Sequence, residues 1–199
     1  MRAYRVAYDG SPFRGFQRQP DVPTVEDALF DALRDLDVLD ATADKPPGYA
    51  AAGRTDAGVS ARAQTVAFEA PEWLTPRAFD GELPAPVRAW ASADVPEEFH
   101  ATHDAASREY RYFLYAPRDV GDGEASAGRP FGDDPGANPR RPLDDDRARA
   151  ALGRLAGEHD FHDLTSDETG TVRDLETGLE RDGEFLVLRF RAGGFARRL

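Results

Sequence analysis

The sequence predicts an α+β fold with a largely antiparallel sheet, and three observations predict it. Short runs of alternating apolar and polar residues recur at 2–8, 63–69 and 108–115, with a further strand at 87–93. Two segments, beginning at Thr24 and near Asp144, space their apolar residues as one face of a helix. Most strands are joined by hairpins, which favours antiparallel pairing over parallel crossovers.

The first strand, 2–8, places Tyr4, Val6 and Tyr8 on one face, and Asp9-Gly10-Ser11-Pro12 ends it with turn residues. A loop at 13–20 then interleaves Phe13 and Phe16 with Arg14 and Arg18. Thr24 is a good helix N-cap, and Asp27 suits the positive end of the helix. Val25, Ala28, Leu29, Ala32, Leu33 and Leu36 form that helix's apolar face, and ADKPPG at 43–48 breaks it. In the strand at 108–115, Tyr110, Tyr112 and Leu114 share a face, with Tyr112 expected in the core. The stretch 117–142 is rich in Gly, Pro, Asp and Arg and reads as one long loop. In the helix from about Asp144, the apolar face is Ala148, Ala151, Leu152 and Leu155. Asp182-Gly183 marks a hairpin turn between alternating runs from Thr171 to Arg191.

Composition narrows the setting. The chain has 199 residues and no cysteine, which removes disulfides, zinc-thiolate sites and thiol nucleophiles together. No apolar run approaches the roughly 20 residues that span a bilayer, and the start MRAYRVAYDG has no secretory h-region, so a cytoplasmic protein without a membrane partner is expected. Acidic residues number 37 against 25 basic ones, a formal net charge of −12, and Lys45 is the only lysine. At molar salt the Debye length falls to about 3 Å, so such self-repulsion hardly matters, and the composition reads as halophilic. Coding bias in a high-GC genome also replaces lysine with arginine, but it does not produce the acid excess. Net charge alone argues against nucleic-acid binding. It does not fix the local potential, and an arginine-lined surface can coexist with an acidic exterior.

The chemistry is concentrated at Gly53-Arg54-Thr55-Asp56-Ala57-Gly58. Two glycines around an Arg-x-Asp unit imply a tight loop where backbone or ligand comes close. Arg54 and Asp56 carry side chains able to pair, and a guanidinium keeps a carboxylate ionised and oriented for attack or proton removal. An ordinary turn with a structural ion pair carries the same residues, so this pattern alone leaves both readings open.

GRTDAGVSARAQTVAF resembles the catalytic segment of the TruA-type tRNA pseudouridine synthase family, whose pattern GRTDxGVHA runs into a strand. Two more stretches agree in order. VAYDGSPFRGFQRQPDVPTVEDALFDAL is similar to the family's opening strand, basic-aromatic loop and first helix. EEFHATHDAASREYRYFLY at 97–115 is similar to its Phe-His-Ala stretch and the following Arg-x-Tyr-Arg-Tyr strand. GEHDFHDLT at 157–165 and the strand into Gly194-Phe195 agree more weakly.

The resemblance implies a pseudouridine synthase-like fold, its sheet in two halves with flanking helices and a central cleft. The halves are expected at 1–104, carrying the Asp56 loop, and 105–199. It makes Asp56 the catalytic aspartate, Arg54 the arginine that pairs with it and helps extrude the nucleotide, and Tyr110 the tyrosine that stacks on the base. Arg14, Gln17, Arg18, Arg108 and Arg111 are the expected RNA contacts. The expected partner is tRNA, modified by a homodimer in the anticodon stem-loop region without cofactor or metal. Two departures stand out. Ser60 occupies the family's histidine position, and the family pattern continues where this chain ends at AGGFARRL. The second departure makes a non-catalytic RNA-binding remnant the alternative expectation.

Other motifs carry less. His100 with His103, and His159, Asp160, His162 and Asp163, do not converge as a metal set requires, and Asp144-Asp145-Asp146 reads as a helix start. No phosphate-binding Gly-rich loop, nucleophile elbow or dinucleotide fingerprint occurs.

Overall fold

A computed structural model of the chain describes residues 1–118 and 143–195. The loop expected at 117–142 lies almost wholly outside them. Two compact units are present, Met1–Ala105 and Ala106–Leu199.

The first unit runs β1 (Arg2–Tyr8), α1 (Val25–Asp35), β2 (Ala50–Ala51), β3 (Ala61–Phe68), α2 (Pro76–Glu82) and β4 (Val87–Asp94). Its sheet has the order β2-β3-β1-β4, with every neighbouring pair antiparallel. The alternation of β1 decides which face is inside. Tyr4, Val6 and Tyr8 are buried among Val66, Phe68, Val87, Phe79 and the apolar face of α1. Ala3 lies on the other face, with Ala50, Ala67 and Ala101. Tyr4 stacks on Phe68 at 5.1 Å between ring centres, and its hydroxyl donates to Leu74 O at 2.8 Å. Burial pushes the Tyr4 phenol up to about 12.

α1 forms where its cap and periodicity place it. The Asp27 amide donates to Thr24 Oγ1 at 3.2 Å, and that hydroxyl donates to Asp27 Oδ2 at 2.6 Å. Val25, Leu29, Ala32 and Leu33 are buried as expected, Ala28 and Leu36 are half-buried, and Phe30 joins the core. α2 has no counterpart in the sequence reading. It is seven residues long and buries only Phe79, so no period exists to detect. Its remaining signals are Thr75, which accepts from the Ala78 amide, and Pro76 at the first turn.

The second unit runs β5 (Arg108–Tyr115), α3 (Asp145–Gly153), β6 (Gly157–Asp160), a 3-10 turn (His162–Leu164), β7 (Val172–Asp182) and β8 (Phe185–Ala192). The strand order is β5-β8-β7-β6, again antiparallel. The β7–β8 hairpin closes with Asp182 opposite Phe185, and Gly183 takes the left-handed conformation at φ +56°. Asp144 caps α3 by accepting from the Asp146 and Arg147 amides.

Two expectations are corrected here. Tyr112 is 56% exposed and not a core residue, and its strand neighbours Phe113, Leu114 and Tyr115 are exposed with it. β5 lies at the edge of the described sheet, and among the described residues no helix makes extensive contact with it, so its alternation leaves Tyr112 exposed. On α3 only Leu152 is buried, because this short helix meets the unit mainly along β7.

The best-anchored ion pair of this unit lies between α3 and β7. Arg181 donates to both oxygens of Asp145 and, at 2.6 Å, to Ala116 O. Its guanidinium holds the Asp145 carboxyl below the ordinary carboxylate range. A depressed carboxyl stabilises the fold above its unfolded value, about 3.9, and loses that contribution as pH falls through the folded value. Arg181→Met is therefore expected to flatten the acid side of the stability–pH curve relative to wild type. Denaturant midpoints between pH 6 and 2.5 measure this, and parallel curves would contradict it.

Candidate functional site

The conformation of the Gly53–Ser60 loop is set by the loop that follows β1. The two backbones touch at Gly10, where a Cβ would lie 2.2 Å from Val59 O and 2.4 Å from Val59 C. Only glycine fits there. The Gly10 amide donates to Ser60 Oγ at 3.0 Å. Ser60 thus ties the two loops together. Asp9 accepts from the Ser11 hydroxyl and amide, which lower its carboxyl, and so closes the turn beside that contact.

Further along, the Gly58 amide donates to Phe13 O at 3.3 Å and the Phe16 amide to Thr55 O at 2.9 Å. Phe13 and Phe16 are buried, so the aromatics of the 13–20 loop anchor it in the core and leave its polar side chains outside. Thr55 is held a second time, since its Oγ1 lies 2.8 Å from the hydroxyl of buried Tyr8. Gly53 is held by Gln64, whose Nε2 donates to Gly53 O at 2.5 Å.

With Thr55 turned inward, its neighbours are turned outward: Arg54 and Asp56 are both exposed. The expected pair between them is not made. Among the described residues neither side chain has an ion-pair partner within 4.0 Å, and the Asp56 carboxylate accepts no hydrogen bond. The fold therefore presents an arginine and a carboxylate side by side, both available, on a loop fastened from beneath.

Next to Arg54 opens a pocket of about 940 Å³, lined within the same unit by Gln17, Gln19, Lys45, Arg54, His100 and Thr102. Phe30 and Tyr49 also line it, their rings edge to face at 4.8 Å. Burial, and then the Glu26 carboxylate, raise the Tyr49 phenol, so it stays a neutral hydroxyl. Gln17 stands exposed at this pocket. Arg18 has a different surrounding. It is paired with Asp27 at 2.9 Å and Asp44 at 3.0 Å and lies over the Phe30 ring, so it braces the pocket wall. Arg14 is exposed.

In the second unit Tyr110 is half-buried, edge to face with Phe195 at 4.8 Å. Arg108 donates to Gly193 O at 3.0 Å, and Arg111 pairs with Glu109 at 2.8 Å. Arg111 stands opposite Arg189 across the β5–β8 pair. The histidine clusters act locally. The His100 and His103 rings lie 4.3 Å apart, tilted by 35°, and His162 pairs with Asp163 at 2.9 Å.

Sequence reasoning did not single out Gly10, Tyr8 or Gln64. Gln64 carried a signal, being a polar residue in phase with Val66 and Phe68 on the inward face of β3. Tyr8 and Gly10 carried none, because their partners lie 47 and 49 positions away.

No family model matches the chain. Curated relatives do. The whole chain is 60% identical over 198 residues to a protein of Halobacterium salinarum named tRNA pseudouridine synthase A, and it covers 65% of that protein. It is 60% identical over 199 residues to the protein of that name from Haloarcula marismortui, covering 67% of it. Over 92% of the chain it is 39% identical to the Methanosarcina acetivorans protein of that name, covering 60% of it. The chain thus spans 65–67% of the length of these haloarchaeal relatives.

Proposed function

The chain belongs to the tRNA pseudouridine synthase A family, and from that premise we propose that it isomerises uridine to pseudouridine in tRNA, with Asp56 as its catalytic carboxylate. The observation that carries this reading is the fastened Thr55, which leaves Arg54 and Asp56 exposed together and unpartnered by any ion pair among the described residues. A structural ion pair, the ordinary alternative for an Arg-x-Asp turn, is not made there among the described residues.

The reaction breaks the bond from uracil N1 to ribose C1′, turns the base, and joins C5 to C1′. The proton on C5 then leaves and N1 gains one, so atoms balance and no electrons are transferred. One ionised carboxylate suffices to open it, by attack on C1′ or by removal of the C2′ proton, and either route suits Asp56. The target base must first leave its stack. Arg54, next to Asp56 on the loop, is suited to take the vacated place, and Tyr110 to offer the aromatic face on which an extruded base rests. Arg14, Gln17, Arg108 and Arg111 are proposed to hold the RNA strand. Arg18 acts behind them, through its two ion pairs, by fixing the loop that carries Gln17. The proposal extends to a homodimer in the cytoplasm, acting on uridines of the anticodon stem-loop.

The acid excess and the haloarchaeal relatives support molar salt as the working medium. There, phosphate contacts weaken steeply with salt, and stacking and arginine hydrogen bonds carry more of the affinity. The test is tritium release from unmodified tRNA labelled at uridine C5, with the purified chain in molar KCl. Release to water is expected, because C5 must lose its hydrogen. A folded chain that binds this tRNA and releases nothing would contradict the catalytic reading and leave RNA binding alone.

A further inference from the structure

We propose that Gln64 is a positioning residue for the isomerisation: its side-chain amide, extending the sheet by one rung, sets where Arg54 and Asp56 stand. The inference rests on the function proposed above and goes further into the same site.

The rungs between β2 and β3 can be followed one by one. Ala50 pairs with Ala67 and Ala51 with Val66. The Ala52 amide donates to Thr65 O at 2.8 Å. At Gly53 the backbone ladder ends, and the partner of its carbonyl is the Gln64 side chain. The other end of the same amide is also engaged, since Gln64 Oε1 accepts from the Thr65 amide at 3.0 Å. The side chain is therefore a bridge from the β3 backbone to the residue immediately before Arg54, and its reach defines the distance between them.

Its location makes the choice of residue informative. Gln64 is 8% exposed and shares the inward face of β3 with Val66 and Phe68, which are fully in the core. An apolar side chain is the ordinary occupant of such a place. Tyrosines apart, the only other buried polar side chain described in this unit, Thr24, caps α1. Gln64 instead spends its polar groups on the loop. Together with the grip of Tyr8 and Phe16 on Thr55, it fixes the chain at positions 53 and 55, so that 54 and 56 face solvent from a defined backbone. A donor at this point controls geometry at the reacting carboxylate without touching substrate.

The experiment compares wild type, Gln64→Leu and Gln64→Glu in single-turnover tritium release. Affinity for tRNA and thermal midpoints are measured alongside. Leucine keeps the volume and removes the donor. The expected result is a rate at least about tenfold lower, with tRNA affinity within about twofold of wild type, because a small misplacement of a catalytic group costs rate before binding. Gln64→Glu adds a readout that a merely structural role would not move. A buried glutamate donates to Gly53 O only when protonated, and burial raises its pKa. Its rate relative to wild type is therefore expected to rise as pH falls from 8 to 6. A Gln64→Leu rate equal to wild type would overturn the inference. So would a loss matched by equal loss of tRNA affinity or folded fraction, or a Gln64→Glu ratio flat with pH. A wild-type chain that releases no tritium sinks the underlying reading, and the inference with it, before either variant is compared.

Discussion

Asp56→Ala is expected to abolish tritium release, lowering the rate by about 10⁴-fold or more, while tRNA affinity and folding stay as in wild type. The size of the effect follows from the chemistry. Both routes to pseudouridine begin with one carboxylate acting at the ribose, and no other carboxylate lies in the Gly53–Ser60 loop. The lack of effect on stability follows from the structure. The Asp56 side chain is exposed and, among the described residues, makes no ion pair, so its truncation leaves nothing buried and unpaired. Changes at such sites are usually within about 0.5 kcal/mol. Asp56→Glu is a sharper probe. It keeps the charge but moves it by one methylene, and a displacement near 1 Å at a reacting group costs about 100-fold. Thermal midpoints and single-turnover rates of the two variants check the pair of claims. A stability loss on Asp56→Ala with tritium release retained would mean that the loop is an ordinary structural turn.

How much of this was legible in the sequence depended on the range of each interaction. β1, β3, β4, β5, the β7–β8 hairpin, α1 and α3 were readable because alternation, helical spacing and caps are local. The family was readable because GRTDAG, the FRGFQRQ loop and REYRY occur together in a fixed order. Tertiary facts were not. The alternation of β5 suggested a buried Tyr112, but burial requires something to pack on the face, and that is not encoded in the strand. Arg18 looked like a free cation beside aromatics. Its ties to Asp27 and Asp44 depend on α1 and the 43–48 turn coming together. The pairing expected of Arg54 and Asp56 failed for a related reason. Thr55 is gripped from the core side, which sends its two neighbours outward into solvent where little draws them together.

Gly10→Ala is expected to cost about 2 kcal/mol of stability, and about 100-fold in rate, though residue 10 has no side chain to contribute to either. A Cβ at this position falls 2.2 Å from Val59 O, 2.4 Å from Val59 C and 2.9 Å from Gly58 C. All three are backbone atoms, so no side chain can swing away and the loop itself must retreat. That retreat pulls on the Gly10–Ser60 hydrogen bond and on the Gly58–Phe13 contact, the two ties that hold the loop C-terminal to Asp56. The clash therefore acts on the carboxylate through the backbone three residues beyond it. Gly81→Ala provides the contrast, since a Cβ there meets nothing within 4 Å and the residue lies in α2. Alanine is favoured over glycine in a helix by about 1 kcal/mol, so that variant should be as active as wild type and no less stable. Urea midpoints and tritium release for the two glycine variants separate a specific contact between loops from a general intolerance of added methyl groups. If Gly10→Ala matched Gly81→Ala in both readings, the contact between the two loops would not be what holds Asp56 in place.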